Sequence, residues 1–203
     1  MPLFGKQYDE IADEQLMSLV AKKDKRAFEV LYERYSRSMV NYFYRMLWQD
    51  EEKAQDFMQE LFMKLVNKPH LYDSKRAFKT WLYSIANNMC KNEYRKQEIR
   101  KVTSYEVKGD VQGSSDAHTI RSIDHAAFLE ELEEALQDMD EVRRSTFVMR
   151  FRQDMSIKEI SDALECSEGT VKSRLFYTLK KLNARLKHFE ELGLALSILL
   201  MMY

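Results

Sequence analysis

Cations and small hydroxyls gather on one face of a segment in the last quarter of the chain. Val171, Leu175, Leu179, Leu182 and Leu186 recur at helical spacing. Stepping about 100° per residue from that stripe leaves Thr170, Ser173, Tyr177 and Lys180 pointing away, flanked by Lys172, Arg174 and Lys181. Hydroxyls exchange hydrogen bonds with base edges, the Arg fork matches the guanine edge, and Lys and Arg neutralise phosphates. This is recognition chemistry, in which no bond is made or broken. Acidic side chains, which would repel a polyanion, are scarce: Glu168 is the only one before Glu190.

Such a face needs rigid support. Ser156-Ile157-Lys158-Glu159 has the form of a capping box, the Ser side chain accepting from an orphan amide while the Glu reaches back. Ser167 opens a second helix eleven residues later, which leaves room for about two turns and a tight corner. A short helix bracing a longer cationic one is a helix-turn-helix, and the second helix suits a major groove. The plain alternative is an αα-hairpin with a solvated cationic face. Glu165 sits in the corner; a left-handed backbone there would cost it about 1 kcal/mol.

A second candidate face lies upstream. After a loop at His70–Arg76, a helix is predicted from Ala77 to about Arg100, with Phe78, Trp81, Leu82, Ile85 and Met89 inward. Opposite them fall Thr80, Tyr83, Asn87, Lys91 and Tyr94, with Lys79, Asn88 and Arg95 beside. Rings interleaved with amides and cations suit a single strand, because bases stack on rings while cations follow the backbone. A third lies on a helix predicted over Glu51–Asn67, capped by Asp50 and stopped by Pro69. There Ala54, Phe57, Met58, Leu61 and Leu65 form the apolar stripe, Asp56, Gln59 and Glu60 share an exposed flank, and Phe62 stands on its shoulder. The plain reading of each flank is a solvated helix surface.

The rest of the chain is helical in pattern. Asp13 is expected to cap a short helix bearing Leu16, Leu19 and Val20, and Asp24 a longer one over Lys25–Leu47 with Phe28, Leu31, Tyr32, Tyr35, Met39 and Phe43. Ala126–Met139 is acidic and amphipathic, with Phe128, Leu129, Leu132 and Leu136 inward, and Asp140 caps Glu141–Arg152. Lys101–His125 lacks apolar periodicity and holds Gly109, Gly113, Ser114 and Ser115, the composition of an extended linker. The apolar stretch after Glu191 spans about 15 Å as a helix, half a bilayer core, so no crossing is expected.

With 203 residues, 45% hydrophobic, two Pro and five Gly, the chain is expected to be all-α, with two small domains that each hold a core. The net charge of −1 conceals basic stretches at 71–100 and 166–203 around an acidic middle, fifteen Asp and Glu against eight Lys and Arg over 101–165. Cys90 and Cys166 are isolated and the four His scattered, so neither a disulfide nor a metal site is expected. No nucleophile triad, carboxylate pair or Gly-rich phosphate loop is present, and no catalytic residue, cofactor or small-molecule substrate is expected. No apolar segment follows Met1, so no secretory signal is expected and the reading is cytoplasmic.

Three stretches carry a family resemblance. Ser167-Glu168-Gly169-Thr170-Val171-Lys172-Ser173-Arg174-Leu175 resembles the recognition helix of bacterial sigma factors of the extracytoplasmic-function (ECF) group. Asp56-Phe57-Met58-Gln59-Glu60-Leu61-Phe62 resembles the family segment that docks on the coiled coil of the RNA polymerase β′ subunit. Phe78-Lys79-Thr80-Trp81-Leu82-Tyr83-Ser84-Ile85-Ala86-Asn87-Asn88, continuing to Tyr94-Arg95, is similar to the promoter-melting helix, and Leu71–Arg76 to the loop that holds an extruded base. Two positions depart from the pattern: Glu165 stands where Gly is common, and Met139-Asp140 where Leu-Pro is common. A capping Asp starts a helix as Pro does.

The resemblance implies two helical bundles, residues 13–100 and 126–190, joined by the linker 101–125 and followed by a tail at 191–203. It implies polymerase contacts from Asp56, Gln59, Glu60 and Phe62. Single-strand contacts in the −10 element would come from Tyr72, Asp73, Ser74, Lys79, Thr80, Tyr83, Asn87, Asn88, Lys91 and Arg95. Contacts to the −35 duplex would come from Ser167, Thr170, Lys172, Ser173, Arg174, Tyr177, Lys180 and Lys181. The linker, with Asp110, Asp116 and Asp124, would thread the polymerase channels as a phosphate mimic. Expected partners are core RNA polymerase, through its β′ coiled coil and β flap, promoter DNA, and an anti-sigma factor; a monomer is expected when free. Two rivals stay open: a stand-alone helix-turn-helix regulator, and a module that sequesters other factors.

Overall fold

The computed structural model describes residues 8–105, 125–187 and 189. The linker aspartates and the apolar tail, with the roles expected for them, lie outside the described residues. The described chain is all-α. The N-terminal bundle comprises α1 (Asp13–Val20), α2 (Lys25–Met46), α3 (Glu51–Asn67), a 3-10 turn (Pro69–Leu71) and α4 (Phe78–Tyr105). The C-terminal bundle comprises α5 (His125–Gln137), α6 (Glu141–Phe151), α7 (Ile157–Leu164) and α8 (Glu168–Arg185).

Helix starts follow the expected side chains in all but one case. Asp24, Asp50 and Asp140 each accept a hydrogen bond from the backbone amide three residues on. The capping box at Ser156 and Glu159 is complete in both directions. Asp13 does not cap α1. Ala12 stands at the N-cap without a side-chain bond, and Asp13 is the first helical residue, its carboxylate taken by Arg34 and Tyr35 of α2. A partner on a neighbouring helix has claimed the group that local pattern assigned to the cap.

Helix ends follow a rule the composition conceals. Lys23, Trp48, Gln49, Asp154 and Glu165 all take positive φ, and no described glycine does. Left-handed residues are needed where a helix turns back, and a chain with five glycines supplies other residues. Glu165, at φ 52° and ψ 47°, carries the strain anticipated for the corner. Glu165→Gly is expected to raise unfolding free energy by up to about 1 kcal/mol, read as a higher urea midpoint at unchanged slope.

The expected pair of separate cores is corrected by the packing. One apolar cluster joins the N-terminal bundle to Val148, Met149, Met155, Ile160, Ala163, Val171 and Leu175 of the C-terminal one. A second, smaller cluster of Phe128, Leu132, Ala135, Leu136, Met139, Phe147, Leu179, Leu182 and Leu186 holds α5, α6 and α8 together. α7 has only eight residues, too few to cover its inner face with α8 alone, and α4 supplies the remaining cover.

At the seam sits Arg144 of α6, 5% exposed. Its guanidinium donates to the carbonyls of Leu136 and Gln137 at the C-terminus of α5 and of Met139 just beyond it, the Leu136 carbonyl also accepting from the Met139 amide. It also reaches the Gln137 side chain, the Met46 carbonyl at the end of α2, and the Tyr94 hydroxyl. No carboxylate lies within ion-pair distance of it among the described residues. Gln137 adds a bond to the Arg45 carbonyl, and Tyr94 of α4 donates to the Met46 carbonyl, so both bundles contribute to capping the C-terminus of α2.

Candidate nucleic-acid and partner interfaces

α8 presents its polar face to solvent. Ser167 caps it, accepting from the Thr170 amide at 3.1 Å and sharing a 2.9 Å hydroxyl contact with Thr170. Val171, Leu175, Thr178, Leu179 and Leu182 are buried, which turns Lys172, Ser173, Tyr177, Lys180 and Lys181 outward, all exposed. Arg174 is half-buried and directs one guanidinium nitrogen to 3.5 Å from Cys166 Sγ. One residue of this face was passed over by pattern: Phe176, 61% exposed, packs edge-on against Tyr177 with ring centroids 5.4 Å apart. Its signal was the helical register itself, since Phe176 falls one step off the buried stripe. An apolar ring that solvent would otherwise contact suits a thymine methyl or a sugar.

The bracing helix is held by charge as well as by its cap. Burial pushes the Glu159 carboxyl up, but hydrogen bonds from the Ser156 amide and side chain and the charge of Lys79 outweigh it and hold the group below its ordinary value. A carboxylate lowered on folding stabilises the fold above its unfolded pKa and loses that contribution as pH falls through the folded value. Glu159→Gln is therefore expected to cost about 0.5 kcal/mol near neutral pH. The difference from the parent chain should shrink in acid, as followed by urea melts across pH.

On α3, Asp56, Gln59 and Glu60 are exposed. Asp56 and Gln59 form no hydrogen bond or ion pair among the described residues, and Glu60 is engaged by Lys64 at 2.6 Å. Phe62 is placed differently from expectation. It is 2% exposed and wedged between α2 and α3 against Tyr32 and Phe28, at centroid distances of 4.9 and 6.1 Å. Its area is already buried within the fold, so it has none to offer a partner in this arrangement. Met63 and Val66, both exposed, are the apolar groups beside the acidic flank.

The loop before α4 is pinned. Tyr72 packs on Phe78 and Trp81 and donates to the Arg76 carbonyl at 2.7 Å. Its phenol is pushed up to about 12, chiefly by burial and then by nearby carboxylates. Asp73 accepts from the Lys75 amide, and Asp73 and Ser74 are exposed. On α4, Asn88 and Arg95 are exposed and Lys79 and Lys91 half-buried. Thr80, Tyr83 and Asn87, expected on the open face, are 3%, 1% and 3% exposed. Tyr83 and Asn87 lie against Tyr42 of α2, and the C-terminal bundle meets Tyr83 and Thr80: the Tyr83 hydroxyl donates to the Gln153 side chain at 2.6 Å, Lys79 beside it donates to the Gln153 carbonyl at 3.1 Å, and Thr80 shares a cleft with Ser161 and Cys166. Arg76 donates to the Asp162 carbonyl at 2.8 Å. An open cleft of about 600 Å³ remains at this junction, lined in part by Lys75, Arg76, Thr80, Ser161, Cys166 and Ser167.

No group of metal-ligating side chains occurs among the described residues, and no described helix is long and apolar enough to cross a membrane. The described fold is all-helical, and its C-terminal bundle has the arrangement of a helix-turn-helix with an open cationic second helix.

Comparison with known proteins narrows the class. The family model for Sigma-70 region 2 matches residues 31–99 and that for Sigma-70 region 4 matches residues 129–182. The RNA polymerase sigma-H factor of Pseudomonas aeruginosa is 30% identical over 171 residues, 81% of this chain and 88% of that protein. The ECF RNA polymerase sigma factor SigX of Bacillus subtilis is 29% identical, over 80% of this chain and 84% of its own. Two solved structures share the fold. CnrH in complex with the cytosolic domain of CnrY has a TM-score of 0.65 at 24% identity, over 88% of this chain and 99% of that one. RpoE in complex with the anti-sigma factor NepR from Bartonella quintana has a TM-score of 0.61 at 21% identity, over 79% and 96%. The chain belongs to the sigma-70 family of RNA polymerase sigma factors, in its ECF group.

Proposed function

We propose that this chain binds core RNA polymerase through the acidic flank of α3, reads a −35 element with α8 and holds a melted −10 strand on α4 and the loop before it. The observation that carries this reading is the solvent-facing row Lys172, Ser173, Phe176, Tyr177, Lys180 and Lys181 on a helix fixed by its Ser167 cap and a buried stripe. Such a row has the shape and charge a major groove admits. Lys172 and Lys180 supply sequence-independent phosphate attraction that weakens as salt rises. Lys172 and Arg174 are the candidates for a guanine edge, worth about 1–3 kcal/mol of discrimination for a well-placed pair.

On α3, Asp56 and Gln59 offer a carboxylate and an amide to a basic partner helix, the coiled coil of β′, while the C-terminal bundle meets the β flap. Glu60 joins them once Lys64 releases it. The bond-making is the polymerase's; this chain supplies placement and strand separation, in the cytoplasm, as a monomer until it meets the enzyme. An anti-sigma factor is a further expected partner, since a solved relative is held by one. A stand-alone helix-turn-helix regulator would account for α5–α8 and leave the α3 flank and the α4 face unused.

The test is run-off transcription with purified core polymerase, this chain and a library of genomic fragments. Start sites that appear only when the chain is added, preceded by shared −35 and −10 sequences, are the expected result. Transcripts unchanged by its presence would reject the reading.

A further inference from the structure

We propose that the cleft where the turn between α7 and α8 meets the start of α4 is a site of reversible thiol–disulfide exchange at Cys166. It is built for a low-molecular-weight disulfide whose halves carry both an ammonium and a carboxylate. The chain has two cysteines, and the fold treats them oppositely. Cys90 of α4 is fully buried, and burial pushes its thiol well up, which makes it inert. Cys166 is half-buried, opens on the cleft and immediately precedes the Ser167 cap of α8.

The lining is what such a ligand needs. Thr80 is 3% exposed and its hydroxyl has no hydrogen-bond partner among the described residues, yet Thr80 lines the cleft. Buried polar groups are nearly always paired, and a ligand in the cleft is the partner within reach of this one. Lys75 and Asp162 line the same cleft with their charges unspent. Lys75 donates only its backbone amide, and Asp162 accepts only through its backbone carbonyl. Arg76 is held by that carbonyl and lies 3.9 Å from Glu165. Opposite charges left apart on one wall suit a ligand that carries both, its carboxylate toward Lys75 and Arg76 and its ammonium toward Asp162 and Glu165. The cleft volume, about 600 Å³, lies within the range of small-molecule sites.

At the sulfur, Arg174 directs a guanidinium nitrogen to 3.5 Å from Sγ. Exchange runs through a thiolate. Cys166 Sγ gives up its proton and attacks one sulfur of the disulfide, so that a new S–S bond forms as the old one breaks. The other half leaves as a thiolate and takes up a proton. Cys166 is oxidised, the leaving half is reduced, and no further oxidant is consumed. Excess thiol drives the same step backwards.

The test follows uptake by the full chain, using intact-mass and peptide mass spectrometry at low salt, where charge contrast is least screened. Cystine carries both charges, cystamine only ammonium groups and dithiodiglycolate only carboxylates. One adduct is expected, at Cys166 and not at Cys90, reversed by dithiothreitol and absent in Cys166→Ser. Cystine should react about fivefold faster than either other probe. Lys75→Gln should slow cystine and dithiodiglycolate relative to cystamine, again by about fivefold. Asp162→Asn should slow cystine and cystamine relative to dithiodiglycolate by the same factor. Thr80→Val keeps the shape and removes the hydroxyl; it should slow cystine about fivefold without lowering the melting temperature.

Uptake at one common rate from all three probes, or rates indifferent to Lys75 and Asp162, would show an exposed thiol and no built site, and would overturn the proposal. A chain that takes up no adduct would overturn it as well.

Discussion

Alanine at both Asp56 and Gln59 is expected to lower affinity for core RNA polymerase by about a hundredfold, two central contacts of about 1.4 kcal/mol each combining to that factor. The pair is chosen because the fold does not use it. Both side chains are exposed and form no described bond, so the double variant should melt at the parent temperature. The other two members of the expected docking set would confound the measurement. Glu60 is tied to Lys64, and Phe62 is sealed between α2 and α3, where truncation to Ala would cost about 3–5 kcal/mol of stability. A loss of binding in a Phe62 variant would therefore report unfolding. Titration of labelled chain with purified core polymerase measures the effect, and an unchanged dissociation constant would reject the docking assignment.

Arg144→Ala is expected to cost about 3–5 kcal/mol, a large share of the stability of a domain this size. The charge is buried without a carboxylate among the described residues, and its return is a set of backbone carbonyls at helix ends. Removing it strips three bonds from the C-terminus of α5 and the residue beyond it, and one from the end of α2. Arg144→Lys should recover only part of the loss. An ammonium is a compact point charge and cannot span the carbonyls that the planar fork reaches together. Urea unfolding followed at about 222 nm, where helical amides absorb, would show the order parent, Lys, Ala. A Lys variant as stable as the parent would show that charge alone, without the fork, satisfies the site.

The two variants separate surface recognition from architecture. Asp56 and Gln59 should change binding and leave the fold alone. Arg144 should do the reverse, since its partners are helix ends inside the fold. The Glu165→Gly and Glu159→Gln effects are smaller, since each concerns a single helix end.

The left-handed backbone at Glu165 was settled only by the structure, while the order of the helices, nearly all their caps and the outward row on α8 were legible in the chain alone. Each depends on contacts within a few residues: a Ser or Asp and the amide three positions on, or an apolar stripe at helical period and the polar row opposite it. Pattern of this kind records which side of one helix is apolar, and it is silent on what covers the polar side. For that reason Thr80, Tyr83 and Asn87 looked open when α7, the Gln153 turn and Tyr42 of α2 lie against them, and Asp13 looked like a cap when Arg34 and Tyr35 hold it. Phe62 looked like an edge residue when Tyr32 and Phe28 enclose it. Arg144 gave no signal at all, because a cation on an amphipathic helix reads as surface until its partners, contributed by three other helices and the ends between them, are brought together. Local chemistry decided where helices begin and which polar row α8 turns to solvent; only the packing of α4 against α7 decided which of the two candidate faces is covered, because burial of a polar group depends on partners distant in the chain.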